Sequence, residues 1–386
     1  MDNELQTASA GWFIDYHLPP ELIAQHAVEP RDHARLLVLD PDGKNLHHQT
    51  VRDLPSWLKP GDLLVFNDTR VLPARLLGTR EGTDGAFEML FVRLAPLNPD
   101  EAGGDRAGFG LWEVMARTGG KPGPGTRFFA ESPQGLESLP LVLVGRTERR
   151  RWLVRPETQG NFADLLHRFG HLPLPPYIRS GREEPGDRER YQTLWAGPPG
   201  SVAAPTAGLH FTKELLTQIA DLGMETARVT LHVGPGTFQT IQTDPATHEV
   251  EPEWGEIPAE AAQKIADCKK RGGRVIAVGT TTTRVLESAA RIWKKDPVTS
   301  HYLPQPWKGE ADLTIRPGHR FRVVDGLMTN FHLPRSGLLL LTGALAGCER
   351  LAKTYDDAIR KGYRFYSYGD AMLILPGGET PAKPGM

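Results

Sequence analysis

Polar side chains follow an apolar segment at FNDTR, and their types suit acid–base chemistry and substrate binding. Asn67, Asp68, Thr69 and Arg70 occupy consecutive positions there. Functional side chains are often found on loops of this kind. The same residues also suit an Asx turn followed by a solvated arginine, so this segment alone favours neither interpretation.

A second polar group surrounds an apolar strand at VDGLMTNFHLPRS, which contains Asp325, Asn330, His332 and Arg335. Because side chains alternate along a strand, we expect Asn330 and His332 on the same face. Polar groups on one face among apolar neighbours indicate a buried hydrogen-bonded network. Such a network is either a functional site or a structural lock.

Histidines provide the candidate proton-transfer groups. His210, His232 and His332 lie beside predicted strand ends or loops, where an imidazole can act as acid, base or hydrogen-bond donor, although each alone is more often structural. Among the 13 histidines only His167 and His171 have the i, i+4 spacing, and no acidic ligand accompanies them. We therefore expect no metal site.

Four threonines, Thr280 to Thr283, follow the apolar strand RVIAVG at the start of a predicted helix. A helix N-terminus can bind an anion through its free N–H groups, but hydroxyls there are more often plain caps. Neither GxGxxG after a strand nor GxxxxGK[ST] occurs. This argues against a dinucleotide-binding dehydrogenase, a P-loop NTPase and the common methyltransferase fold.

Two arginine-rich segments are candidates for contacts with RNA. They are RTERRRW, with Arg149, Arg150 and Arg151, and RSGREEPGDRERY, with Arg188, Arg190 and Tyr191. Such runs are usually solvated surface, but an aromatic ring beside arginine also suits single-stranded RNA. The net charge of −2 provides no global positive field, so nucleic-acid binding must be local.

The elements that must position these residues differ along the chain. Residues 59–156 contain six or seven short apolar segments separated by turn clusters, the first being DLLVFN, and closure into a small β-barrel would avoid bare strand edges. After residue 200, strands alternate with amphipathic helices, and ARLLVLD adds an earlier strand. We predict an α/β fold with a discontinuous catalytic domain (1–58 and 157–375), an inserted antiparallel β-barrel (59–156) and a disordered tail (376–386).

Length and composition agree with a folded protein of more than one domain. The 386 residues exceed what one hydrophobic core usually spans. Cys268 and Cys348 form no CxxC pair, which argues against a disulfide scaffold and an oxidising compartment. No signal-peptide pattern opens the chain, and no apolar run reaches the ~20 residues of a membrane span. We expect a cytoplasmic monomer without a membrane segment.

Seven segments, taken together and in order, resemble the S-adenosylmethionine:tRNA ribosyltransferase-isomerase family of queuosine biosynthesis. They are ELIAQHAVEPRDHARLLVLD (21–40), GDLLVFNDTRVLPARL (61–76), GSVAAPTAGLHFT (200–212), TLHVGPGTFQ (230–239), RVIAVGTTTTRVLES (274–288), VDGLMTNFHLPRS (324–336) and YRFYSYGDAMLI (363–374). Strings such as AAPTAGLHFT are too long and unusual to match by chance.

The resemblance implies transfer of the ribosyl part of S-adenosylmethionine to 7-aminomethyl-7-deazaguanine at the tRNA wobble position. Isomerisation then gives epoxyqueuosine, and adenine and methionine leave. S-adenosylmethionine is thus a substrate, and the resemblance implies no metal or other cofactor. The sulfonium acidifies the 5′ carbon, so a base must remove that proton and a donor must assist the departure of adenine. A carboxylate or aromatic face should lie near the sulfonium.

Residue roles follow from the positions that lie in family-like segments. The candidate catalytic residues are Asp68, His210, His232, Asp325, His332 and Asp370. The candidate substrate-binding residues are Asn67, Thr69, Arg70, Thr206, Thr280, Thr281, Thr282, Thr283, Asn330 and Arg335. For tRNA we expect contacts from Arg149, Arg150, Arg151, Arg188, Arg190 and Tyr191. The identity of the general base stays open.

Two other functions compete with this one. An S-adenosylmethionine-dependent RNA methyltransferase, or a nucleotide-sugar enzyme, is disfavoured by the missing glycine fingerprint. A non-catalytic tRNA-binding protein would use its barrel to dock RNA and its α/β domain as a scaffold. The polar residues at strand ends argue against that function, and a binding module is expected to be more basic.

Overall fold

The computed structural model describes residues 14–40, 45–83, 85–95, 110–238, 240–242, 244–297 and 301–376. From residue 377 onwards, the predicted disordered tail lies outside the described residues. The chain forms two compact units. One comprises Met1–Thr69, Arg190–Pro198 and Pro205–Met386, and the other comprises Arg70–Glu189 and Pro199–Ala204.

The described strands are β1 (Arg35–Leu39), β2 (Leu46–Thr50), β3 (Leu63–Asn67), β4 (Arg70–Val71), β5 (Arg75–Arg80), β6 (Ala86–Leu94), β7 (Trp112–Thr118), β8 (Arg127–Glu131), β9 (Ser138–Arg146), β10 (Trp152–Pro156), β11 (Pro199–Ser201), β12 (Glu225–Leu231), β13 (Glu253–Ile257), β14 (Val275–Val278), β15 (Trp307–Ala311), β16 (Gly326–Asn330) and β17 (Ala371–Ile374). The α-helices are α1 (Phe162–Phe169), α2 (Asp187–Arg190), α3 (Lys213–Asp221), α4 (Ala259–Lys270), α5 (Thr280–Ala290), α6 (Gly337–Ala346) and α7 (Cys348–Arg360). Short 3-10 helices span Pro20–Leu22, Arg31–His33, Val51–Trp57, Arg179–Gly181, Thr206–His210 and Pro235–Phe238.

A nine-stranded mixed sheet organises the first unit, in the order β15-β13-β12-β3-β14-β16-β17-β1-β2. Strands β12, β3, β14 and β16 run parallel, and β13 and β15 continue the sheet as antiparallel neighbours. Every residue of β3, β14 and β16 is buried, because parallel strands of this kind are covered on both faces. Leu64, Phe66, Ile276, Val278 and Met328 join the core on one face of this sheet.

A closed six-stranded barrel forms the core of the second unit, in the order β10-β7-β6-β5-β8-β9 with antiparallel neighbours. Buried and less buried residues alternate along β6 and β9, as inward and outward positions do in a barrel. The barrel and the mixed sheet together confirm the predicted fold class.

One strand assigned to the barrel from the sequence belongs to the large sheet. The segment DLLVFN contains β3, near the centre of that sheet, and the first unit continues to Thr69 rather than ending at residue 58. Its uninterrupted apolar run lacks the alternation of β6 and suits a strand covered on both faces. At the other boundary, α1 buries Leu165, Leu166 and Phe169 in the barrel core, so the second unit extends past residue 156.

No helix in the described ranges is both long and apolar enough to cross a membrane.

Candidate functional site

The carboxyl ends of β12, β3, β14 and β16 meet at one edge of the nine-stranded sheet. In open α/β sheets this edge is where ligands bind. Most of the polar residues singled out in the first unit from the sequence lie at or next to this edge, in two groups. One group surrounds the end of β3, and the other surrounds the end of β16.

Asn67 connects the segments of the first group through hydrogen bonds of its side chain. Its Nδ2 donates to the carbonyl of Leu231 (2.9 Å) and to Thr281 Oγ1 (3.2 Å), while its Oδ1 accepts from the N–H groups of Thr69 and Leu231 (both 3.1 Å). The side chain is buried and its amide groups are all used. Asn67 therefore holds β3, β12 and the start of α5 in register and has no group left for a ligand.

Asp68 and Thr69 make side-chain contacts with β12 and the residue that follows it. Thr230 Oγ1 donates to Asp68 Oδ1 (2.7 Å), and Thr69 Oγ1 lies 2.8 Å from His232 Nδ1. The main chain of Asp68 is also fixed, because its N–H donates to Val229 O and its carbonyl accepts from Gly197 N. Asp68 and His232 are thus each held in place by a short, specific contact.

Asp68 borders a cavity of ≈ 370 Å³ that is also lined by Thr226, Arg228, Glu260 and Lys264. This volume is in the range of small-molecule sites. Burial raises the pKa of Asp68, although the hydrogen bond from Thr230 and the charge of Arg228 oppose that shift. A carboxyl group with a raised pKa beside a cavity suits acid–base work.

His232 presents a neutral imidazole at physiological pH, because burial lowers its pKa to about 4. Its ring stacks on Trp254, with ring centroids 5.0 Å apart and planes inclined by 21°. Nδ1 is held by Thr69, and Nε2 has no hydrogen-bond partner among the described residues. His232 is therefore fixed in orientation with one nitrogen available to a substrate.

Helix α5 begins at this edge with a glycine as its N-cap. Gly279 has a φ of 98°, a conformation that favours glycine, and no side chain caps the helix. Thr282 Oγ1 donates back to Val278 O (2.8 Å) and Thr283 Oγ1 to Gly279 O (3.3 Å). These two hydroxyls already donate to main-chain carbonyls. The main-chain N–H groups of the first turn are therefore better donors to an anion than these hydroxyls are.

The second group surrounds Asn330. Thr206 Oγ1 donates to Asn330 Oδ1 (2.9 Å), and Asn330 Nδ2 donates to the carbonyl of Tyr366 (3.1 Å). His332 is buried, its Nε2 lies 3.1 Å from Thr329 Oγ1, and burial lowers its pKa to about 3. Asn330 therefore bonds to Thr206 and Tyr366 while His332 bonds to Thr329, so both side chains are hydrogen-bonded but not to each other, and His332 is a second neutral imidazole.

His210 is confined between two main-chain carbonyls. Nδ1 lies 3.2 Å from Ala207 O and Nε2 lies 3.0 Å from Gly369 O, and burial lowers the pKa of the ring. A neutral imidazole has a single N–H, so it donates to one of these carbonyls only. Both nitrogens face the protein, which makes His210 a less available proton-transfer group than His232.

Two of the three candidate carboxylates are occupied by main-chain donors. Asp370 accepts from the N–H groups of Arg35 (3.0 Å) and Arg364 (2.8 Å). Asp325 accepts from Lys269 Nζ (2.5 Å) and from Val275 N (2.7 Å). Val275 opens β14, so Asp325 lies at the opposite edge of the sheet, about 16 Å of strand from Asn330. The structure does not bring Asp325 to the candidate site.

Of the two predicted arginine ligands, one is engaged by groups of other loops and the other belongs to the second unit. Arg335 donates through Nε to the carbonyl of Ile241 (3.2 Å) and pairs with Asp15 (3.3 Å), so it fastens two loops. Arg70 belongs to the other unit, where it is exposed on β4, which pairs with β11.

The predicted tRNA contacts divide into exposed and buried residues. Arg149 and Arg150 are exposed in the turn between β9 and β10, and Arg188 and Arg190 are exposed although each has an acidic partner. For the other two residues, Tyr191 and Arg151, burial contradicts the predicted contact with tRNA. Tyr191 is 0% exposed and packs edge-on against Tyr368, so its ring is closed to a base, and Arg151 is buried against Glu113.

Sequence reasoning missed three residues that the structure places beside the site. Trp254 stacks on His232, and Glu253 and Arg284 form a buried ion pair (2.5 Å) between β13 and α5. The alternation in EWGEI could have indicated a strand with an outward tryptophan, but nothing local pairs it with His232. Within the described ranges, no group of three or more His, Cys, Asp or Glu side chains is arranged to hold a metal ion.

Comparison with known proteins adds a family. The model of the family described as "Queuosine biosynthesis protein" matches residues 13–374. A relative from Gloeobacter violaceus, named S-adenosylmethionine:tRNA ribosyltransferase-isomerase, is 48% identical over 94% of this chain and 95% of its own. A relative of that name from Thermus thermophilus is 48% identical over 94% of this chain and 98% of its own.

A solved structure is also similar. The S-adenosylmethionine tRNA ribosyltransferase of Thermotoga maritima is 33% identical, with a TM-score of 0.51 over 94% of this chain and 100% of that protein.

Proposed function

The chain belongs to the queuosine biosynthesis protein family, and we propose that it performs the reaction for which its relatives are named, as an S-adenosylmethionine:tRNA ribosyltransferase-isomerase. The observation that carries this proposal is the family match over residues 13–374, with identities of 46–48% to relatives of that name over at least 94% of the chain. The enzyme takes part in queuosine biosynthesis.

The finer description of the reaction is part of the proposal. The ribosyl group of S-adenosylmethionine is transferred to 7-aminomethyl-7-deazaguanine at the wobble position of tRNA and isomerised to epoxyqueuosine. Adenine and methionine are released, and S-adenosylmethionine is consumed as a substrate without a further cofactor. We place the enzyme in the cytoplasm as a monomer.

Asp68 is our candidate for the base that removes the acidified 5′ proton. Asp68 borders the ≈ 370 Å³ cavity described above, whereas Asp325 and Asp370 are occupied by main-chain N–H groups. Its pKa is raised by burial, which strengthens it as a base relative to an ordinary carboxylate. As a carboxylate it also attracts the sulfonium by direct charge.

His232 is our candidate for the group that assists the departure of adenine. A neutral imidazole donates a hydrogen bond through one nitrogen only, and Thr69 fixes which way the ring points. If Thr69 Oγ1 donates to Nδ1, then Nε2 carries the proton and presents it to the substrate. A leaving adenine anion is stabilised by such a donor without the protein having to hold a charged imidazole.

The start of α5 is our candidate for binding the methionine carboxylate. The N-cap is glycine, the helix has no side-chain cap, and its N-terminal end carries a partial positive charge. Asn67 anchors Thr281 in the first turn, so the main-chain donors are preorganised.

The exposed arginines of the barrel unit are our candidates for phosphate contacts on tRNA. Arg149 and Arg150 lie exposed in the β9–β10 turn, and Arg188 is exposed. Contacts of this kind position RNA without reading its sequence and weaken as salt is raised.

The decisive experiment incubates the purified protein with S-adenosylmethionine and tRNA that carries 7-aminomethyl-7-deazaguanine, and separates the small products by chromatography. Adenine and methionine released only in the presence of that tRNA would establish ribosyl transfer. S-adenosylhomocysteine would establish methylation instead. Binding of tRNA with no product at all would establish a binding protein, and either of these results refutes the proposal.

A further inference from the structure

Three side chains form a row across three neighbouring strands at one end of the large sheet. Trp254 on β13 is the register partner of Glu310 on β15, and His232, just past β12, donates its main-chain N–H to the carbonyl of Trp254 (2.9 Å). Directly opposed side chains on adjacent strands lie on the same face about 5 Å apart. The row His232–Trp254–Glu310 therefore presents an imidazole, an indole and a carboxylate side by side.

The tryptophan of this row is exposed and stacks on His232. Its side chain is 41% exposed, whereas its strand neighbours Glu253 and Gly255 are buried. His232 stacks on it from the β12 side, and among the described residues no other ring or cation contacts it. An aromatic side chain fixed by a strand and a stacked neighbour loses little entropy when a planar ligand packs on it.

The carboxylate of this row is free. Glu310 is exposed, and no hydrogen bond or ion pair to it occurs among the described residues. The next register pair along the same face of β13 and β15 is Glu256 and Lys308, and these two side chains form an ion pair (2.9 Å). Glu310 therefore differs from Glu256, because its own register partner is a tryptophan and not a cation. An ionised carboxylate accepts hydrogen bonds and donates none. It repels phosphate and attracts a group with N–H donors.

An indole face beside an accepting carboxylate matches one kind of nucleobase best. Stacking on an aromatic ring accepts any base. A carboxylate with two oxygens selects a base that offers two adjacent N–H donors, and the Watson–Crick edge of guanine does so through N1–H and the 2-amino group. A 7-deazaguanine has the same edge, because the replaced atom lies on the opposite side of the base.

We propose that Trp254 and Glu310 form the binding site for the guanine-type base of the RNA substrate, with Trp254 stacking on its ring and Glu310 accepting from its Watson–Crick edge. The inference rests on the proposed function for the identity of the RNA. It adds two recognition residues that neither the sequence motifs nor the catalytic chemistry required.

Binding of synthetic anticodon stem-loop RNAs tests this inference without turnover. The RNAs carry guanosine or inosine at the wobble position, inosine differing only by the missing 2-amino group. The wild-type protein should bind the guanosine RNA about tenfold more tightly than the inosine RNA, since one hydrogen bond to a charged group is lost. Glu310→Gln should lower that ratio to near one.

Substitution of Trp254 tests the stacking contact. Trp254→Leu should weaken binding of both RNAs about tenfold, and Trp254→Phe should retain most of the affinity. Leu222→Ala is the control for loss of an exposed apolar side chain (53% exposed) and should change neither affinity. Thermal melts of each variant exclude misfolding as the cause.

Three results would overturn the inference. They are equal binding of the two RNAs by the wild-type protein, an undiminished preference for guanosine in Glu310→Gln, and unchanged affinity in Trp254→Leu. Because these are binding measurements, they are independent of adenine release. Failure of the proposed reaction with a retained guanosine preference is thus distinguishable from failure of this inference.

Discussion

The buried ion pair between Arg284 and Glu253 provides a stability prediction whose size follows from the structure. The two side chains are only 7% and 6% exposed, and Arg284 Nη1 donates to Glu253 Oε2 at 2.5 Å. Arg284 Nη2 also donates to the carbonyls of Glu251 (3.1 Å) and Ala311 (2.9 Å). The guanidinium therefore joins α5 to β13 and β15, the strands that carry Trp254 and Glu310.

Removal of the cation in Arg284→Met leaves the carboxylate of Glu253 buried without its partner. Breaking a buried pair in this way costs about 3–5 kcal/mol of unfolding free energy. For a unit of this size the cost corresponds to a fall of roughly 6–20 °C in Tm, at about 2–4 °C per kcal/mol. The measurement is thermal unfolding followed by circular dichroism.

The loss should depend on pH in a defined direction. Burial already raises the pKa of Glu253, and the charge of Arg284 opposes that shift, so loss of the arginine raises the pKa further. A carboxyl group with a raised folded-state pKa destabilises the protein once pH exceeds its unfolded value of about 4.3, and the cost grows until pH reaches the folded value. The variant should therefore be closest to wild type at pH 5 and furthest from it at pH 8.

Two further variants test whether the unpaired buried charge of Glu253 causes the loss of stability. In Glu253→Gln/Arg284→Met the buried charge is gone, so part of the lost stability should return and the pH dependence should flatten. Arg291→Met breaks the exposed pair with Asp312 (2.6 Å) and should cost at most about 1 kcal/mol. A melting temperature of Arg284→Met that equals wild type, or that falls equally at pH 5 and pH 8, would refute the reasoning.

Three shorter predictions concern activity and RNA binding. Asp68→Asn should lower kcat by about 10²- to 10⁴-fold with Tm retained, whereas Asp325→Asn should leave kcat unchanged. Steady-state assays of adenine release measure both values, and full activity of Asp68→Asn would contradict our assignment of the base. Arg149→Gln/Arg150→Gln should weaken tRNA binding and reduce the slope of log affinity against log salt by about 1–2, which filter binding at several salt concentrations measures; an unchanged slope removes these arginines from the interface. Gly279→Ala should strain the backbone at the start of α5, where φ is 98°, and should raise KM for S-adenosylmethionine. An unaltered KM in a protein that still folds would show that this helix end does not bind the methionine carboxylate.

The barrel and the α/β domain could be predicted from local patterns alone. Alternation in AFEMLFVRL predicts a strand with one buried face, which is β6, and TTTTR after an apolar run predicts the helix α5. The assignment of β3 to the barrel was wrong because its sequence pattern is ambiguous. An apolar run without alternation fits a strand in a barrel or in a two-sided sheet, and its neighbours decide between them.

The candidate carboxylates show where local patterns stop being informative. Asp68 follows its strand and Asp325 precedes its strand, yet both stand next to an apolar run and a polar cluster. Because β3 and β16 run in the same direction, these positions fall at opposite edges of the sheet. Strand direction within the sheet therefore decided which of these two carboxylates lies at the edge that holds the candidate site.

The sequence by itself determined the family, the element types and most polar residues of the candidate site, because helix caps, alternation and long motifs are properties of neighbouring residues. Only the tertiary structure decided that Tyr191 is buried and that His232, Trp254 and Glu310 form one row. Burial and cross-strand pairing arise between segments distant in the chain. Their register is set by the packing of the whole sheet, which no local pattern records.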